Sequence, residues 1–160
     1  MEAYHQLRRK EKEIKDSAKL KAILAKTQYI TVAMCRNDEP YLVTLSHAFD
    51  AERNCFYFHC SPVGRKIDLI RANPQVYGQV LEDCGYVATE CEHRYRTVQF
   101  DGRAEVVSDP DEKLRALRLL IERLEPAPEP VKARLLGPER LTGVAVIRVT
   151  VTGWSGKQGS

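Results

Sequence analysis

The chain has 160 residues, 43% of them hydrophobic and 29% charged, with a formal net charge of +3. This is the composition of an ordinary globular protein with a real core, and it excludes fibrous and low-complexity classes. No apolar run approaches the ~20 residues a membrane-spanning helix needs, and five cysteines without a CxxC pair or signal peptide lead us to expect reduced thiols in a cytoplasm.

Met1 to Lys26 carries eight Lys or Arg against four Asp or Glu, so the rest of the chain is close to neutral. Arg8, Arg9, Lys10 and Lys12 could hold an anionic partner. A solvated face is the commoner role for such a run, and no nucleic-acid or membrane partner is expected. Residues 1–15 are expected to be charged and partly extended. Asp16 reads as the N-cap of a helix from Ser17 to Lys26, with Leu20, Ile23 and Leu24 on one side. The stretch "QYITVAMC" reads as a strand, "NDE" as a turn, and "PYLVTLSHAF" as a second strand alternating Tyr41, Val43 and Leu45 against Leu42, Thr44 and Ser46. After "DAERN", "CFYFHC" is the third. A helix follows from Arg65 to Ala72, ended by Asn73-Pro74. "QVYGQVLE" is a fourth strand, and "RYRTVQFDGRAEVV" is a long fifth with Val98, Phe100, Ala104 and Val106 on one face. "SDPDEK" opens an amphipathic helix to about Leu124. A short helix near Val131–Leu136 and a last strand, "GVAVIRVTVTGW", complete the order. One domain over residues 1–160 is expected: a mainly β fold with peripheral helices, forming a six-stranded antiparallel split β-barrel.

The chemistry concentrates at "FHCSPVGRKIDLI". A strand passes through Ser-Pro-x-Gly directly into Arg65 and Lys66 at a helix start. Backbone N–H groups there carry partial positive charge. Gly64 lets the chain approach a ligand closely, Arg65 offers a planar fork for phosphate oxygens, and Lys66 adds a point charge. His59 and Ser61 supply further donors. A monophosphate seat and an ordinary strand-to-helix loop are both compatible with this pattern.

The order of elements resembles the FMN-binding split-barrel proteins, the wide group that includes pyridoxamine 5′-phosphate oxidase, and most nearly the nitroimidazole-resistance-type flavoproteins. The likeness is carried by "EPYLVTLSHAFD", "FYFHCSPVGRKIDLIRANPQV", "YRTVQFDGRAEVVSDPDEK" and "VTGWSGK". It implies a homodimer holding one FMN in each of two interface clefts. Arg65 and Lys66 match the basic pair that holds the FMN phosphate, with His59, Ser61 and Gly64 in the same loop. Thr44 and Ser46 match positions beside the flavin ring and ribityl chain, and Thr97 a polar contact on the fifth strand. The implied activity is FMN-dependent oxidoreduction from a reduced nicotinamide nucleotide to a small acceptor, such as a quinone, a nitroaromatic or another flavin. A non-catalytic flavin- or haem-binding protein is the alternative. The ending "RVTVTGWSGKQGS" lacks the arginine-containing substrate segment of pyridoxamine 5′-phosphate oxidase, so that activity is not expected.

No catalytic acid, base or nucleophile stands out, since there is no G-x-S-x-G elbow, P-loop or dinucleotide fingerprint. Cys84, Cys91 and His93 lie close together, but their spacing matches no closed zinc motif and no metal is expected. Trp154 could cap a flavin or pack at a sheet edge.

Overall fold

The computed structural model describes residues 7–159, so residues 1–6 of the charged lead segment lie outside the described residues. The remainder of that segment is tied down. A single 3-10 turn at Lys10–Lys12 is followed by a bridge from Glu13 to Lys157. The Ile14 amide donates to the Gly156 carbonyl, and the Ile14 side chain is buried. Helix α1 (Ser17–Lys26) starts where Asp16 accepts the Ala18 amide at 2.8 Å, and it buries Leu20, Ile23 and Leu24.

Strand β1 (Tyr29–Arg36) turns into β2 (Glu39–Ser46) through Asn37 and Asp38. Both have positive φ, 52° and 62°, as a primed hairpin turn requires. The second strand expected from the sequence is divided at His47. Its continuation, β3 (Ala48–Asp50), pairs with β4 (Cys55–Cys60), whereas β2 pairs with β1. Helix α2 (Arg65–Ala72) leads to β5 (Gln75–Val87) and β6 (Glu92–Val106), then come α3 (Pro110–Leu124), α4 (Pro128–Leu135), α5 (Pro138–Leu141) and β7 (Ala145–Gln158). The sheet order is β2-β1-β5-β6-β7-β4-β3, antiparallel throughout. Its two edge strands are therefore consecutive in the chain. One strand, broken at His47, runs from one edge of the sheet to the other and makes this a split barrel. It has seven strands where six were expected, and the break at His47 accounts for the difference.

Alternate residues of β1, β4, β5, β6 and β7 fill the interior, with Ile30, Val32, Phe56, Phe58, Val98 and Phe100 at 1% exposure or less. Gly78 lies directly under Phe100, where an added Cβ would meet the ring at 2.1 Å. The other face of β4, Cys55 and Tyr57, packs with Ala116, Leu117 and Leu120 of α3. The Tyr57 hydroxyl donates to Glu112 at 2.7 Å, and Arg148 donates to both oxygens of that carboxylate at 2.8 and 2.9 Å. The short helix expected near Val131–Leu136 corresponds to α4, and α5 follows as a further short helix; Pro128 and Pro138 occupy helix-opening positions that favour proline. The connection rich in cysteine extends the β5–β6 hairpin past an irregularity between Asp83 and Tyr86. No helix among the described residues is long and apolar enough to cross a membrane.

Candidate cofactor site

Between the end of β4 and the start of α2, residues 61–64 turn the chain. The Ser61 hydroxyl accepts the Val63 amide at 3.4 Å, a local turn that serine supports. Gly64 has φ 132° and ψ 169°. A Cβ there would meet nothing within 4 Å, so backbone conformation rather than space calls for glycine. Helices α1 and α3 each have an aspartate accepting an opening amide, but α2 has no side-chain cap. As in α4 and α5, no side chain caps this helix, and the amides ahead of Asp68, whose own amide donates to the Gly64 carbonyl at 3.2 Å, are the unpaired groups of its first turn.

Those amides border a hollow of about 190 Å³ lined by Tyr41, Cys60, Ser61, Gly64, Arg65 and Lys66. The Arg65 guanidinium sits over the Tyr41 ring, 4.6 Å from its centroid. Burial pushes the Cys60 thiol up, against the opposing pull of the Lys66 ammonium. The sulfur therefore stays neutral near pH 7 and leaves the positive charge of the hollow unquenched. Tyr41 escaped the sequence reading. Alternation placed it with Val43 and Leu45, but nothing local ties it to a helix start after β4.

The remaining candidates fall on two other surfaces. Thr44 lies on the outward face of β2, its Oγ1 3.0 Å from that of Thr31. Strand register extends this into a polar row across the sheet, Thr44, Thr31, Gln79, Gln99 and Ser155. Ser46, half-buried, ends β2 opposite Tyr29. Thr97 shares the face of Gln99, yet it is only 8% exposed, and its hydroxyl donates to the Val80 carbonyl at 2.8 Å. Its donor is committed, and only its oxygen lone pairs remain for a ligand. Large exposed apolar side chains surround this face: Tyr29 at 56%, Leu42 at 65%, Tyr77 at 41% and Leu81 at 53%.

His59 does not share the hollow. It is exposed on the face of β4 opposite Cys60, and it borders a cleft of about 630 Å³ against Leu117, Leu120, Leu124, Val131 and Leu136. Trp154 packs with Phe49 at a ring separation of 6.1 Å and against the core cluster. Asp83 bonds His93 Nε2 at 2.8 Å, while Cys84 and Cys91 are exposed. Among the described residues no group of three or more such side chains could hold a metal ion. The structure therefore brings Ser61, Gly64, Arg65 and Lys66 together, sets Thr44, Ser46 and Thr97 on the outer sheet, and turns His59 toward α3.

A family model for pyridoxamine 5′-phosphate oxidase matches residues 16–158. The flavocytochrome Anf3 of Azotobacter vinelandii shares the fold with a TM-score of 0.81 at 22% identity, covering 100% of this chain and 75% of that one. A Bacteroides thetaiotaomicron VPI-5482 protein described as a candidate 5-nitroimidazole antibiotic resistance protein gives 0.76 at 20% identity, covering 92% and 86%. The FAD and heme binding protein of Mycobacterium smegmatis gives 0.77 at 18%, covering 93% and 74%. In sequence, an uncharacterized protein of Rhizobium meliloti (strain 1021) is 38% identical over 61 residues, and the match spans 38% of the length of that relative.

Proposed function

The chain belongs to the pyridoxamine 5′-phosphate oxidase family, and on that premise we propose that it is an FMN-dependent oxidoreductase. It would take electrons from a reduced nicotinamide nucleotide and deliver them to a small acceptor, a quinone, a nitroaromatic or another flavin. One observation carries this reading: uncapped amides, Gly64, Arg65 and Lys66 converge on one hollow. Three kinds of donor there suit the three terminal oxygens of a phosphate monoester. The bound flavin itself would supply the two-electron chemistry.

The chain's own residues hold and orient in this reading. Arg65 and Lys66 neutralise the phosphate, and Ser61 and Gly64 frame it. Thr44, Ser46 and Thr97 offer polar contacts along the outward sheet face. The exposed apolar side chains on that face suit coverage by a second copy, which supports a homodimer with the cofactor between subunits. No side chain has to move a proton at a reacting atom, in keeping with the lack of a sharper acid–base constellation.

The test is the absorption spectrum of the purified protein before and after FMN is added. Flavin bands near ~450 and ~375 nm are expected. The Arg65→Ala, Lys66→Ala double variant is expected to lose at least about a hundredfold in FMN affinity, since two charge-assisted hydrogen-bonding groups are removed. Unchanged affinity in that variant removes the proposal. Retained flavin with no reduction by NADH or NADPH would instead describe a flavin carrier.

A second reading is favoured by His59. An imidazole bordering an aliphatic cleft of about 630 Å³ is a setting that suits a haem, and two of the structural relatives are a flavocytochrome and a FAD and heme binding protein. A Soret band on haem addition that disappears in His59→Ala would support it.

A further inference from the structure

We infer that Tyr41 is a positioning residue for phosphate, holding Arg65 in the orientation the anion requires. The inference rests on the reading of the hollow at the start of α2 as a phosphate seat. Arg65 is exposed at the first position of α2 and borders two hollows. One contains Ser61, Gly64 and Lys66. The other is lined by Arg36, Asn37, Glu39, Asp68 and Leu69. Glu39 and Asp68 are rival partners that could draw the guanidinium away from an incoming anion. Among the described residues Arg65 forms no ion pair with either, and it lies over the Tyr41 ring instead, 4.6 Å from the centroid.

Tyr41 is suited to this by its place in the fold. It stands on the inward side of β2, half-buried and packed against the barrel core, so its ring is held by its neighbours. A guanidinium binds phosphate through N–H groups that lie in its own plane, and it binds an aromatic ring through its face. The two contacts are compatible. A guanidinium held over the ring by its face would keep its donor edge free, with one side-chain conformation already selected before the anion arrives. The Tyr41 hydroxyl makes no hydrogen bond among the described residues, so the ring alone carries the role.

The test compares FMN with riboflavin, which lacks the phosphate, by flavin fluorescence titration on wild type, Tyr41→Leu and Tyr41→Phe. Tyr41→Leu is expected to weaken FMN about three- to tenfold, the range of a stacked cation, and to leave riboflavin unchanged. Tyr41→Phe is expected to bind both as wild type does. Equal loss of both flavins would assign Tyr41 to the fold and overturn the inference, as would unchanged FMN affinity in Tyr41→Leu. Wild type that prefers FMN while Tyr41→Leu is silent defeats the Tyr41 role alone. Wild type with no preference for FMN over riboflavin defeats the phosphate seat, and the role of Tyr41 with it.

Discussion

His47 is fully buried at the break between β2 and β3, and neither ring nitrogen has a hydrogen-bond partner. Its imidazole stands edge-on to Phe56 at 5.3 Å between centroids. Burial, with a smaller contribution from the Arg123 charge, lowers its pKa from 6.5 to about 4; the Thr27 backbone opposes this weakly from outside hydrogen-bonding geometry. Above pH 6.5 both folded and unfolded chains hold it neutral, and its full contribution is present. As pH falls below 6.5 the unfolded chain takes up the proton first, so stability drops until about pH 4 and then levels. The loss across that window is about 3 kcal/mol, from the free energy of a shift of this size. Urea midpoints at neutral and acid pH should show it, and His47→Phe should flatten the profile relative to wild type. Residue by residue, the legible part was the start of α2, where glycine, arginine and lysine stand together in the chain. The roles of His47 and Tyr41 were not legible, because each depends on a neighbour that only the folded barrel supplies.

Helix α3 is anchored at three kinds of contact. Asp109 caps its start, Glu112 receives Tyr57 and Arg148, and Ala116, Leu117 and Leu120 bury against β4 and its neighbours. Leu120 is 2% exposed, so Leu120→Ala should cost about 2–4 kcal/mol in denaturant unfolding, the range for an emptied aliphatic site. The same variant should bind FMN within about twofold of wild type, since α3 contributes no side chain to the Arg65 hollow. A large loss of FMN affinity there would mean that α3 and α2 are coupled. Elements were legible wherever periodicity and end signals agreed, as at α1 with Asp16 and at α3 with Asp109 and Pro110. Three boundaries were not. Pattern alone does not show the break at His47, since alternation continues through it. Strand β5 runs on to Val87 because β6 pairs with it beyond the irregularity after Asp83. Pro128 begins a helix ahead of the start expected near Val131.

For the whole molecule, the outward sheet face is where the homodimer proposal is most exposed to test. Leu42→Lys with Leu81→Lys places two charges among Tyr29, Tyr77 and the polar row, and burying them in a subunit interface would be costly. The proposal expects sedimentation to report a dimer for wild type and a monomer for this variant, with FMN retention reduced in parallel. A variant that stays dimeric would move the interface to another face. The split-barrel architecture was legible from six strand signals with short connections, whereas the strand order was not, because it depends on a single strand serving both ends of the sheet. That arrangement has a colloidal consequence. Edge strands carry unpaired backbone groups that can recruit another chain, and here both edges meet at the uncharged imidazole of His47. Acid that forces a proton onto that ring would loosen the junction and destabilise β2 and β3 together, at the two margins the sheet already presents. Loosened margins recruit neighbouring chains more readily, so this protein should be most prone to aggregate below about pH 4, where the His47 ring becomes charged.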